Sequence, residues 1–280
     1  MAWHVGAAVI QTVTETEADA PAEILIPRSD VDLTPYKSWL TPFLSPEGHI
    51  RMIVQAMLLS VDGLRIVVDT CVGNGKNYGP TVPTFNDLDT PFLENLTAAG
   101  FAPDSVDLVV CTHLHMDHVG WNTMLMDGEW VPTFPRARYV MSRADLEHWQ
   151  HVLDDWNPFE VSVQPLLARG LVDAIDPPHQ VSASVSLIST PGHTPGHVSV
   201  QVDSNGSRAV ITGDMVHSPV QLVRPEWSSL SDVDPDEARR TRERMRKQLG
   251  NHDVLIFGTH FPLPTVGRLV TDAAGEWSFV

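Results

Sequence analysis

The stretch Cys111-Thr-His-Leu-His-Met-Asp-His-Val-Gly120 places His113, His115, Asp117 and His118 within six positions. No other feature restricts the fold as strongly. An apolar run, Val106-Asp-Leu-Val-Val110, leads directly into it and reads as a short buried strand. On a helix His113 and His115 would point about 200° apart, whereas on a strand end or tight loop they converge. Asp117 and His118 are adjacent and reach a different point in space. One loop of this kind can feed two metal ions if the rest of the chain supplies partners.

Three partners follow, each after an apolar run. A turn fixed by glycine and proline, Pro191-Gly-His-Thr-Pro-Gly-His197, carries His193. The run 208–212 ends at Gly213-Asp214, and Val254-Leu-Ile-Phe257 runs into Gly258-Thr-His260. Imidazole nitrogen and carboxylate oxygen suit zinc, and a catalytic site keeps a position open for water. One ion can take His113, His115 and His193; the other can take Asp117, His118 and His260; Asp214 can bridge them. A closed structural site needs only four ligands, so seven point to a catalytic dinuclear centre. Its chemical value is large: moving a water pKa from about 15.7 to about 7 changes deprotonation by roughly 12 kcal/mol. Two divalent ions are therefore expected, zinc first, although the same ligands suit iron, manganese or cobalt.

Elsewhere the pattern is mixed. Residues 1–47 read as an N-terminal arm with leading strands, able to cover a pocket or a partner subunit. Runs 50–58 and 64–70, split by Val61-Asp-Gly63, read as a hairpin. Helices are expected over 86–99, closed by Gly100, from Ser142 to about Leu153 with Asp145 completing a capping box, and over 234–250. The arginine-rich face of the last is expected to be solvated. Strands are expected at 185–190 and 197–202. Residues 155–168, with Trp156, Pro158, Phe159 and Pro165, read as an inserted loop. Trp156 and Phe159 are the aromatic side chains expected near a pocket; Trp121, Trp149 and Trp227 are expected in the core.

Composition closes off other classes. A formal net charge of −17 argues against nucleic acid, whose recognition needs clustered Lys and Arg. Two cysteines, Cys71 and Cys111, cannot build a disulfide framework and read as buried thiols. No apolar stretch reaches the roughly 18 residues of a membrane span, and no secretory leader is evident, so a cytoplasmic protein without membrane contact is expected.

The ordered set His113-x-His115-x-Asp117-His118, His193, Asp214 and His260 resembles the metallo-β-lactamase superfamily, from about Ile50 to the C-terminus. The resemblance implies an α/β (α+β) fold, a four-layer αββα sandwich formed by one domain over 1–280, acting on a small molecule and possible as a homodimer. It implies hydrolysis by a bridging hydroxide, with Asp117 passing a proton to the leaving group. A cysteine stands at the Asp214 position in true β-lactamases of this fold, which disfavours antibiotic hydrolysis. The lactonase branch, cleaving lactones or carboxylic esters, is the first expectation. That branch has a tyrosine shortly after the bridging aspartate, whereas this chain has His217, similar to the methyl parathion hydrolase branch. A phosphotriesterase is thus the alternative, followed by a glyoxalase II-like thioesterase and a diiron oxidoreductase. A metal-binding sensor or interaction protein is the non-catalytic rival. His217 is expected to contact substrate or polarise Asp214, Arg224 to lie on the surface, with binding of a carboxylate or phosphoryl oxygen as its alternative role, and His197 to stabilise its own turn. Thr112 and Thr259 are expected to hydrogen-bond the ligating groups.

Overall fold

In a computed structural model, which describes residues 1–28 and 30–280, two β-sheets pack face to face with helices on both outer surfaces. Ser29 of the expected N-terminal arm lies outside the described residues. The first sheet is built from β1 (Ala2–Val5), β2 (Ala8–Ala20), β3 (Ile50–Val61), β4 (Leu64–Val68) and β5 (Leu108–Val110). A separate hairpin, β6 (Thr123–Met126) and β7 (Glu129–Pro132), precedes its last members, β8 (Arg138–Ser142) and β9 (Val172–Ile175). Strands β1 to β4 are antiparallel neighbours; β4, β5, β8 and β9 run parallel. The second sheet orders β10 (His179–Gln180), β11 (Val185–Ser189), β12 (Val198–Ser204), β13 (Ser207–Ile211), β14 (Val254–Phe257) and β15 (Val266–Gly267). Only β13 and β14 pair in parallel there.

The two-residue period of the strands divides their side chains between cores. Met57, Leu59 and Val61 of β3, Ile66 and Val68 of β4, and Ala209 and Ile211 of β13 meet between the sheets. Ala56, Leu58 and Val67 face outward, onto helices Phe92–Ala98 and Arg143–Trp149. Val210 and Ile256 face the other way, onto helix Pro235–Leu249. Each fully buried Val, Leu or Ile contributes about 1.5–3 kcal/mol.

Several local expectations change. The helix expected over 86–99 is confined to Phe92–Ala98. Pro91 drives the residue before it out of helical conformation, and Thr90 and Asn86 instead bond the loop at Asn74, Tyr78 and Gly79. Residues 155–168 are not a loop throughout: a π-helical turn, Phe159–Val163, and a helix, Gln164–Ala168, bury Phe159, Val163 and Leu166 in the first outer core. Ser142 starts its helix without a side-chain cap, and the Asp145 carboxylate expected to complete the box is engaged elsewhere. The arginine-rich face is not wholly solvated either. Position 242 falls in the buried stripe Ala238, Thr241, Met245 and Leu249, and Arg242 is completely enclosed. No helix among the described residues is long and apolar enough to cross a membrane.

Candidate metal centre

Parallel strands β4 and β5, together with β13 and β14, end on one edge of the sandwich, and the loops leaving them hold the site. The chain after β5 enters a short helix, Met116–Val119, delivering His113, His115, Asp117 and His118. Asp214 follows β13 and His260 follows β14. Two groups of donors form, His113, His115, His193 and Asp214, and Asp117, His118 and His260, and a third set, Asp214, His217 and His260, overlaps both, each with ligand atoms within 4.8 Å of one another. Asp214 spans the two groups. Its Oδ2 faces His193 Nε2 at 3.5 Å, and its Oδ1 faces His118 Nε2 at 3.2 Å and His260 Nε2 at 3.1 Å.

The outer nitrogens determine what the inner ones can do. His193 Nδ1 donates to Asp232 Oδ1 (3.1 Å), His118 Nδ1 to Asp69 Oδ2 (2.9 Å) and His260 Nδ1 to the Ile53 carbonyl (2.8 Å). His113 Nδ1 donates to Thr112 Oγ1 (3.1 Å), whose hydroxyl donates to Asp69 Oδ2 (2.9 Å). In its neutral form each of these rings therefore presents an Nε2 lone pair inward, as metal-ligating histidines do. His113 Nε2 and His193 Nε2 both lie 2.9 Å from His115 Nδ1, which can carry at most one proton. At least one of these contacts brings lone pairs together, an arrangement that a cation relieves. Buried His118 Nε2 and Asp214 Oδ1 have no hydrogen-bond partner among the described residues. These residues thus fit a pair of divalent ions.

Charge divides the two groups. Burial, then the neighbouring His118 and His115, pushes His113 well below the usual imidazole range; burial and His193 do the same to His115. Both are neutral near pH 7, as ligation requires. Burial opposes protonation of His118, but Asp214, Asp117 and Asp69 outweigh it and raise its pKa. Asp214 is lowered despite burial, chiefly by His118 and His260.

A further layer holds the loops. His197 is not in either donor group; its Nε2 accepts the Asp214 amide (2.9 Å) and its other nitrogen meets Thr190 Oγ1 (2.8 Å). Burial pushes it down to about 3, so it stays a neutral acceptor. A Cβ on Gly213, whose φ is +56°, would lie 2.6 Å from that nitrogen, so glycine permits the approach. The Asp145 carboxylate accepts Thr194 Oγ1 and the Gly196 amide, pinning the turn that carries His193; burial lifts it to about 6. At the β-bulge between Thr14 and Thr16, Glu15 accepts from Val72 N, Gly73 N, Thr90 Oγ1 and Trp121 Nε1, tying β2 to the loop beside the site.

Sequence reading did not assign Asp69, Asp145, Asp232, Arg242 or Glu15 to the site. Asp69 ends an apolar strand as the expected ligands do, and Arg242 sits in the buried helical stripe, so both left a signal. Thr112 takes the expected role, whereas Thr259 Oγ1 has no partner among the described residues. His217 Nε2 stands 3.1 Å from Asp214 Oδ2, and its ring stacks on His260 at 5.5 Å. Trp149 and Trp156 both pack edge-on against His115, with centroids at 5.0 and 5.5 Å. Arg224 bonds Glu226 and Tyr36 and lies over Trp227.

Residues 50–260 match the metallo-beta-lactamase superfamily. An N-acyl homoserine lactonase of a Bacillus species is 28% identical over 179 residues, 60% of this chain and 65% of the relative, so that match spans just under two thirds of it. Another, from Bacillus thuringiensis, is 24% identical over 78% of this chain and 84% of its own length. Among solved structures, the hydrolase AbOPH superposes with TM-score 0.79 at 23% identity, covering 100% of this chain and 96% of that one. The dizinc quorum-quenching lactonase AidC superposes with TM-score 0.78 at 21% identity over the same shares.

Proposed function

The chain belongs to the metallo-beta-lactamase superfamily, and from that membership we propose that this metallohydrolase cleaves a lactone or carboxylic ester at a dinuclear centre. The observation that carries the reading is the pair of donor groups sharing Asp214. His113, His115 and His193 would hold one divalent ion and Asp117, His118 and His260 the other, with Asp214 reaching both. Such ions, when bound, make water acidic enough to attack at neutral pH and polarise the scissile carbonyl.

The protein's own groups supply the rest. Asp117 is the only one of the seven that is not buried, its side chain 14% accessible against 4% or less for His118, Asp214 and His260 beside it. Its Oδ2 faces His118 and His260 at 3.6 and 3.5 Å. It can take the proton released as water adds to the carbonyl carbon and return it to the departing alkoxide oxygen as the C–O bond breaks. Trp149 and Trp156 wall the His115 side and limit water there. His217 has a buried Nδ1 without a partner among the described residues, and its backbone is held by Gln221 Oε1 at 2.7 Å. With Nε2 donating to Asp214 Oδ2 at 3.1 Å in a ring that burial keeps neutral, that nitrogen is left an acceptor for a substrate donor. The names of the lactonase relatives support lactones as the substrate class.

His217 favours a second reading, a phosphotriesterase, because an imidazole occupies the position three after Asp214. A hydrolysis panel of acyl homoserine lactones, aryl esters, phosphotriesters and thioesters, on protein of measured metal content, separates them. Lactone and aryl-ester turnover with negligible phosphotriester turnover is expected. Dominant phosphotriester turnover would favour the second reading, and no turnover with two ions bound would overturn both.

A further inference from the structure

His193 is gripped by a segment that, among the described residues, hydrogen-bonds no other ligand of the first group. Its Nδ1 donates to Asp232 Oδ1, while its carbonyl accepts the Val233 amide at 3.0 Å and the preceding Gly192 carbonyl accepts Asp234 N at 2.9 Å. Asp232 Oδ2 accepts Arg242 Nη1 (3.1 Å) and the Ser229 amide (3.0 Å). Arg242, fully buried on helix Pro235–Leu249, also donates from Nε to the Pro225 carbonyl, from Nη1 to the Met215 carbonyl and from Nη2 to Ser228 Oγ. The carboxylate behind His193 is thus neutralised and locked in orientation by a fixed guanidinium.

Asp69 is built differently. It accepts His118 Nδ1, Thr112 Oγ1 and the Thr112 amide, with no cationic side chain from Lys or Arg paired to it among the described residues. Through Thr112 it also reaches His113, so it backs one ligand of each group. The Asp117, His118 and His260 position therefore has its own carboxylate, a share of Asp214 and an uncompensated anion behind it. The His113, His115 and His193 position has no carboxylate of its own beyond its share of Asp214; Asp69 reaches it only through Thr112, and the Asp232–Arg242 pair stands behind His193.

Resting on the dinuclear reading above, we infer that Asp232 and Arg242 are positioning residues that set the metal affinity of the His113, His115 and His193 position alone, and that this position fills second. Asp69 acts on both. The helix carrying Arg242 gives the protein a separate handle on one ion of the pair.

The test is a chelator-competition titration of metal-free protein with Zn2+, repeated with Co2+ to follow its visible absorption, which resolves the two binding steps. Asp232→Asn keeps an acceptor for His193 but removes the charge. It should weaken the second step by about 10- to 100-fold, as loss of such outer partners does, and leave the first within about 2-fold. Asp69→Asn should weaken both steps. Should Asp232→Asn not fold, Arg242→Lys, which cannot make the same fork of contacts, should weaken the second step by a smaller factor. Two unaltered steps in folded Asp232→Asn or Arg242→Lys, or equal losses at both steps in either, would overturn the inference. A wild type that takes up fewer than two ions would instead overturn the dinuclear reading, and this inference with it.

Discussion

Replacing Lys76 by methionine should stabilise the protein, and by more as the pH falls. Lys76 is 1% exposed, and its ammonium has only Thr123 Oγ1 at 2.9 Å and the Trp130 ring at 3.7 Å for company. No carboxylate pairs with it among the described residues. Burial lowers its pKa to about 7, against about 10.4 in an unfolded chain. A depressed folded value means the unfolded state binds the proton more tightly. The penalty is therefore absent above about pH 10.4, grows as pH falls, and is complete below about 7. At 1.36 kcal/mol per unit the ceiling is about 5 kcal/mol. Losing the Thr123 hydrogen bond costs about 1 kcal/mol, and water penetration trims the remainder, leaving a net gain of about 2–4 kcal/mol near pH 6. Near pH 10.5 the same variant should be neutral or slightly destabilised. Urea unfolding of metal-free wild type and variant at pH 6, 7.5, 9 and 10.5 measures this, since groups common to both cancel in the difference. A stability difference that stays constant across that range, or that favours wild type at pH 6, would refute the reasoning.

Three further outcomes follow from the geometry. Gly120→Ala should destabilise by at least about 2 kcal/mol in thermal unfolding, because its Cβ would lie 1.7 Å from the Val72 carbonyl although φ is an ordinary −59°. Glu15→Gln should cost about 1–3 kcal/mol, read as a lower urea midpoint at unchanged slope, since an amide cannot accept from all four donors. Asp214→Asn should lower kcat/KM on the preferred ester or lactone by at least about 1,000-fold, roughly 4 kcal/mol, and reduce bound metal below two per chain.

The parts of this fold that follow local rules were readable in the sequence. The hairpin at Asp62-Gly63, the helix capped by Asp234 and the strands before His113, Asp214 and His260 are fixed by turn chemistry, an N-cap and apolar runs. The expected ligands are brought together because each follows a strand on one edge. What escaped was set by contacts distant in sequence. Asp145 looks like a capping residue until the turn at 194–196, some 50 positions away, claims its oxygens. Glu15 reads as one charge in a polar strand, yet a bulge turns it toward Trp121, 106 positions on. Residues 155–168 carry prolines typical of a loop, but Phe159, Val163 and Leu166 bury enough apolar surface to override them.

Anomalous diffraction from crystals of the zinc-loaded protein tests the central claim most directly. Two peaks about 3.5–4 Å apart are expected, one ringed by His113, His115 and His193, the other by Asp117, His118 and His260, with Asp214 touching both. A single peak, or a second one away from Asp214, would contradict it.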